Sequence, residues 1–154
     1  MTHREMAEAN FKEGYNCSQA VFAAFSKEVG LPRQTALQLA SGFGGGIGRM
    51  REVCGAFSGA VMALGALYGS DDPAHKTAVY AMVQELAAKF KAETGSLICR
   101  ELLGLDKPEG SPVASPRTET YYKKRPCVEM VALAADLLEQ YLAEHPVPRR
   151  EANA

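Results

Sequence analysis

The sequence predicts an all-α protein, and three observations predict it. Apolar residues recur at helical spacing almost throughout, as in Val79, Met82, Val83, Leu86 and Phe90. No stretch gives a convincing strand, repeat or second domain. Capping residues, prolines and glycines fall where helices of ordinary length would start and stop. The expectation is one compact domain of six to seven helices over residues 1–145, followed by a frayed tail over 146–154.

In chain order, a first helix runs from Thr2 to Lys12 and breaks near Gly14. Asn16 is a good N-cap for a second, which buries Cys17, Ala20, Val21, Ala24 and Phe25 and ends before Gly30. Pro32 opens a short third helix to Ser41, with Leu37 and Leu39 inward. After the glycine-rich stretch Gly42–Gly48 comes a fourth helix from Glu52 to Tyr68. Asp72-Pro73 pairs a cap with a proline at the first helical position and starts a fifth, which Gly95 stops after Thr94. Ser96 caps a short sixth helix through Cys99 to Leu103. From Gly104 to Pro126 the chain carries prolines 108, 112, 116 and 126 and reads as irregular. That length without structure predicts a mobile lid. The last helix runs from Pro126 to Glu144, with Val131, Ala134, Leu138 and Tyr141 on one face.

Seventeen basic and eighteen acidic residues leave a net charge of −1, which gives no electrostatic case for nucleic acid or an anionic membrane. The most apolar stretch, Val53–Gly69, falls short of the roughly 20 residues that span a bilayer. Five of its seventeen residues are glycine or serine, so it reads as a buried helix. The opening fifteen residues contain no apolar signal core, and a cytoplasmic location is expected.

The chemistry rests on Cys17, Cys54, Cys99 and Cys127, none close to another in sequence. Each falls in the first turn of a predicted helix. There the unpaired N–H groups and the positive end of the helix dipole favour a thiolate. In a reducing compartment structural disulfides are not expected, so four such placements point to one shared site. The dipole alone contributes about 0.3–1 kcal/mol, so a strongly acidified thiol needs cations or a metal as well. Arg51 precedes Cys54 and Arg125 precedes Cys127, whereas Arg49, Arg100, Lys123 and Lys124 read singly as solvated.

Gly55 and Gly59 lie one turn apart in the fourth helix, where each glycine costs about 1 kcal/mol relative to alanine. Gly59 reads as close helix packing. Gly55 reads equally as packing or as space beside the Cys54 sulfur, and with Arg51 it is the residue expected to flank a cofactor. The glycine-rich stretch is neither a P-loop nor a dinucleotide fingerprint. Its amides can form an anion-binding nest, though a sharp connection between helices is the simpler account. His3, His75 and His145 receive no role, and Tyr121 and Tyr122 in the long loop read as a cover for the site or, more simply, as surface packing.

This chain resembles the C_GCAxxG_C_C family of redox-active four-cysteine proteins. The resemblance is carried by Asn16-Cys17-Ser18-Gln19-Ala20, Gly44-Gly45-Gly46-Ile47, Cys54-Gly55-Ala56 with Gly59, Cys99-Arg100-Glu101-Leu102-Leu103-Gly104 and Cys127. It implies redox activity residing in the four cysteines and an oxidoreductase or transport-associated partner.

Three functional readings stand side by side. In the first, Cys17, Cys54, Cys99 and Cys127 form one redox site, either an iron–sulfur cluster or dithiol/disulfide pairs, serving as an electron or thiol carrier for a partner protein. In the second, the same four thiolates are redox-inert ligands of a metal-handling module. No paired Cys-x-x-Cys knuckle supports zinc, while four single thiolates suit iron–sulfur chemistry. In the third, the chain is a helical interaction protein, with a homo-oligomer among its forms, whose cysteines are core residues.

Overall fold

The structure is a computed structural model that describes residues 1–105 and 110–148 and, of Lys124, the backbone alone. Pro108 and residues 149–154 of the expected tail lie outside the described residues. The described residues form nine α-helices and no strand. They are α1 (His3–Lys12), α2 (Cys17–Ala24), α3 (Ser26–Val29), α4 (Arg33–Ala40), α5 (Gly55–Tyr68), α6 (Lys76–Thr94), α7 (Cys99–Leu102), α8 (Glu119–Lys124) and α9 (Cys127–Glu144). A 3-10 turn, Pro73–His75, leads into α6.

The caps predicted from sequence set several of these boundaries. Asn16 and Gln19 form a reciprocal capping box at the start of α2, as Thr2 and Glu5 do for α1. Gly95 ends α6 in the left-handed conformation. Helix α2 lies at the centre and packs against α1, α4, α5 and α9. Its Ala20, Val21 and Phe22 are buried, as are Ala56, Phe57, Ala60, Ala63 and Leu64 of α5 and Val131, Ala135 and Leu138 of α9. Helix α6 lies further out. Of its predicted stripe only Leu86 and Phe90 are fully buried, and Val79, Met82 and Val83 are half-buried.

Four expectations change. The second helix breaks at Phe25 into α2 and α3. Leu37 is buried but Leu39 is 53% exposed, because two residues along a helix place side chains on nearly opposite faces. Helix α5 begins at Gly55, three residues later than predicted, because the backbone of Glu52–Cys54 pairs with that of Leu97–Cys99 instead. The stretch expected to be irregular contains α8, capped by the Thr118 hydroxyl on the Tyr121 N–H at 3.2 Å.

His3 also proves structural. Its ring stacks on Phe25 at 4.1 Å, and its two nitrogens meet Glu139 at 2.6 Å and Glu28 at 2.8 Å, joining α1 to α3 and α9.

The α2–α5 contact explains the glycine strip. A Cβ built on Gly59 would lie 2.6 Å from the Ser18 carbonyl oxygen and 3.1 Å from Val21 Cβ, whereas one on Gly65 would meet nothing within 4 Å. The two positions therefore respond oppositely to alanine. Gly59→Ala is expected to lower stability by about 1–3 kcal/mol through overpacking. Gly65→Ala is expected to raise it by up to about 1 kcal/mol through helix propensity. Urea unfolding midpoints of the two variants check this, and equal shifts would contradict it.

Candidate functional site

Two segments distant in sequence bring the cysteines together. Cys54 N–H donates to the Leu97 carbonyl at 2.7 Å, and Cys99 N–H donates to the Glu52 carbonyl at 2.6 Å. The resulting Val53–Ile98 bridge sets the start of α5 beside the start of α7. Upstream, the glycine-rich connection folds back on itself. Gly48 N–H donates to Gly42 O at 2.8 Å, Arg51 N–H to Gly45 O at 3.0 Å and Glu52 N–H to Gly46 O at 2.8 Å. Gly46 has a φ of +74°, and a Cβ there would lie 2.7 Å from Cys99 Cβ, so only glycine lets the loop pass under that side chain.

The same stretch holds three non-glycine residues in left-handed backbone, Ile47, Arg49 and Arg51, with φ of 62–64°. For β-branched Ile47 this is a costly conformation, the kind of stored strain that surrounding structure must enforce. Here the enforcement is the ladder of loop hydrogen bonds and the pairing with Leu97–Arg100. Its effect is to direct Arg51 inward, where it is 5% exposed and its Nη1 donates to Cys99 Sγ at 3.7 Å.

Cys17 opens α2 and Cys127 opens α9. The Asn16 side chain holds the first of these starts to the loop by donating to Ser41 O at 3.0 Å, and Gln19 donates to Leu37 O at 3.0 Å. Gly55 allows the close approach of α5, since a Cβ there would sit 3.3 Å from Cys17 Cβ. All four cysteines, together with Gly55 and Arg51, line one cavity of about 70 Å³. Gly55 thus serves both packing and space, while Gly59 is packing alone.

The segment leading to Cys127 closes one side of this cavity. Arg117 donates to Phe11 O and Tyr15 O, each at 2.9 Å, and lies over the Phe11 ring at 4.1 Å. Tyr121 lines the cavity together with Cys127. Tyr122 packs edge-on against Phe11. From the sequence both tyrosines read as a cover for the site or, more simply, as surface packing, and Arg117 had no place. The signal for Tyr121 was its position at the third residue of a Thr118-capped helix.

The four thiols are chemically unequal. Cys54 and Cys99 are buried, whereas Cys17 and Cys127 are half-buried. Cys17 and Cys127 influence each other's ionisation, and Cys127 is the member that ionises. The neighbouring Cys17 thiol, the Tyr121 hydroxyl and the nearby Arg125 and Arg51 charges outweigh burial and bring Cys127 down to about 7. Cys17 is correspondingly pushed well up, by the neighbouring Cys127 and by burial. Burial raises Cys54 to about 11, although the Ala56 and Phe57 N–H groups at the start of α5 favour its thiolate. Burial also raises Cys99, with Arg51 opposing. A helix start therefore does not by itself acidify a thiol, because burial wins at Cys54 and Cys99, and at Cys17 the neighbouring Cys127 and burial together do.

The four-thiol donor set is chemically that of an iron–sulfur centre. Among the described residues, however, no three Cys, His, Asp or Glu side chains are gathered as ligands of one metal ion. The four thiols line one cavity without being gathered as ligands of one ion.

Among the described residues no helix is long and apolar enough to cross a membrane. The model of the family described as "Putative redox-active protein (C_GCAxxG_C_C)" matches residues 15–141, a span that includes all four cysteines. No curated protein and no solved structure is matched.

The Cys54 thiol yields a prediction for the reduced protein. Its folded value of about 11 lies above the ordinary 9.0, so the unfolded chain loses this proton first as pH rises. The stability contributed is full below pH 9 and falls away between 9 and 11, by on the order of 2 kcal/mol. Cys54→Ala should remove that alkaline component, so the stability gap between wild type and variant narrows over this window. Denaturant titrations at a series of pH values measure it, and a constant gap would contradict the assignment.

Proposed function

Because the chain belongs to the C_GCAxxG_C_C family of redox-active proteins, we propose that it is a thiol carrier that cycles Cys17 and Cys127 between dithiol and disulfide. The observation that carries this reading is that these two half-buried thiols line one cavity and perturb each other's ionisation in opposite directions. Thiol–disulfide exchange needs an accessible thiolate and a second thiol within reach to resolve the mixed disulfide. Cys127 supplies the first and Cys17 the second. Cys54 and Cys99 sit behind them, and Arg51 and Gly55 shape the cavity.

The carrier would work in a reducing cytoplasm and exchange electrons with an oxidoreductase or transport-associated partner. A second reading, an iron–sulfur centre on all four cysteines, is favoured by the presence of all four sulfurs on one cavity. It would require the four sulfurs to gather as ligands around the centre.

Anaerobic purification followed by metal analysis, then controlled oxidation and peptide mapping, tests the choice. The dithiol reading expects metal-free protein and a single first disulfide, Cys17–Cys127. It also expects Cys17→Ala to leave Cys127 trapped as a mixed disulfide with the oxidant. Stoichiometric iron and sulfide on the purified protein, or a first disulfide involving Cys54 or Cys99, would overturn it.

A further inference from the structure

Beside the cysteine cavity lies a wider one of about 390 Å³, and Asn16, Gly45, Arg51, Arg117 and Tyr121 line both. Four guanidinium groups line the outer cavity, from Arg49, Arg51, Arg117 and Arg125, and among the described residues lining it there is no carboxylate. Since the chain carries a net charge of −1, this positive lining is a local concentration and not a sign of general basicity.

The cavity wall is held in place. Arg49 donates to Ser111 O at 2.8 Å and to Ser115 Oγ at 2.9 Å, fastening the segment before α8 across the glycine-rich loop. Arg117 engages two carbonyl oxygens and the faces of Phe11 and Tyr121, and Arg125 lies over the Tyr121 ring at 5.7 Å. Neither of these two arginines meets a carboxylate among the described residues. A guanidinium surrounded by carbonyls and ring faces keeps its full charge for an incoming anion, and its planar fork matches a carboxylate. The loop amides contribute less, because those of Gly48, Arg49, Arg51 and Glu52 already donate to loop carbonyls.

We propose that this outer cavity binds the carboxylate end of a small anionic disulfide and presents the sulfur–sulfur bond to Cys127. The inference rests on the dithiol reading above and names the co-substrate class for that pair. The volume falls at the lower end of small-molecule sites, which begin at about 300 Å³. Its position next to the cysteines is what selects a sulfur compound over other anions.

The reaction balances. Cys127 thiolate attacks one substrate sulfur, forming a mixed disulfide as the substrate sulfur–sulfur bond breaks and its electron pair leaves on the second sulfur. Cys17 then loses its proton to solvent and displaces the remaining substrate thiolate, closing Cys17–Cys127. The protein dithiol has lost two electrons, and the substrate disulfide has become two thiols by taking up two protons.

The test compares dianionic dithiodipropionate with neutral bis(hydroxyethyl) disulfide as oxidants of the reduced full chain. Formation of the Cys17–Cys127 bond is followed by quenching and mass spectrometry. The dianion is expected to react about tenfold faster than the neutral compound after correction for their intrinsic rates, with the preference shrinking at high salt. Arg125→Gln and Arg49→Gln should each cut the preference several-fold. Because Arg125 also acidifies Cys127, the neutral disulfide provides the baseline rate of each variant. Oxidation by the neutral compound with no preference for the dianion, or a preference unchanged in both variants, overturns this inference and leaves the dithiol reading standing. Failure of both compounds to form the Cys17–Cys127 bond overturns both.

Discussion

The site depends on a short antiparallel contact between two segments that are not strands. Arg51–Cys54 and Leu97–Arg100 exchange backbone hydrogen bonds of 2.6–3.2 Å, and through them the beginnings of α5 and α7 are fixed side by side. Without that contact nothing in the helical packing would aim Cys99 at Cys54, since α7 has only four residues and little apolar surface of its own. The glycine-rich connection exists in this form to permit it. Its left-handed residues turn the chain within Gly45–Arg51, and Gly46 passes beneath Cys99 where a side chain would collide with the Glu52 amide. Strain at Ile47, Arg49 and Arg51, of order 1–3 kcal/mol each, is tolerable only because the surrounding hydrogen bonds over-determine the path.

With the four helix starts converging, electrostatics sorts the thiols. Dipoles favour thiolate at each of them, yet burial opposes ionisation by a comparable or larger amount. The balance tips only at Cys127, where a neighbouring thiol, a phenol and two guanidinium groups act together. In the proposed exchange Cys127 is the reactive sulfur and Cys17 the resolving one, while Cys54 and Cys99 are the more buried pair. Such asymmetry is what exchange chemistry requires, because two equally acidic thiolates in contact would repel.

Much of this was legible in the sequence, and the illegible parts share a cause. Asn16, Thr2, Gly95 and Pro73 mark helix ends through local chemistry, and the structure follows them within a residue or two. The position of each cysteine at a helix start was likewise local, and so readable. The late start of α5 was not, because Glu52–Cys54 is drawn away by partners more than forty residues distant. Leu39 was misplaced inward because apolar character was read without its angular position on a short helix. Helix α8 was hidden by flanking prolines at 116 and 126, which bound the helix instead of breaking it. The roles of Arg117 and Tyr121 depend on tertiary contacts with Phe11, Tyr15 and Cys127, which no spacing rule encodes.

The central claim is that packing makes four similar cysteines chemically distinct, with Cys127 as the reactive one. The pH dependence of alkylation of each thiol in the reduced protein, resolved by peptide mass spectrometry, tests it directly. The account predicts that Cys127 reacts first, with a midpoint near 7, and that Cys54 reacts much later, with a midpoint near 11. Removing the Cys17 thiol by Cys17→Ala should move the Cys127 midpoint upward. Four cysteines titrating together near the ordinary value of 9.0, with Cys127 unmoved by the loss of Cys17, would contradict it.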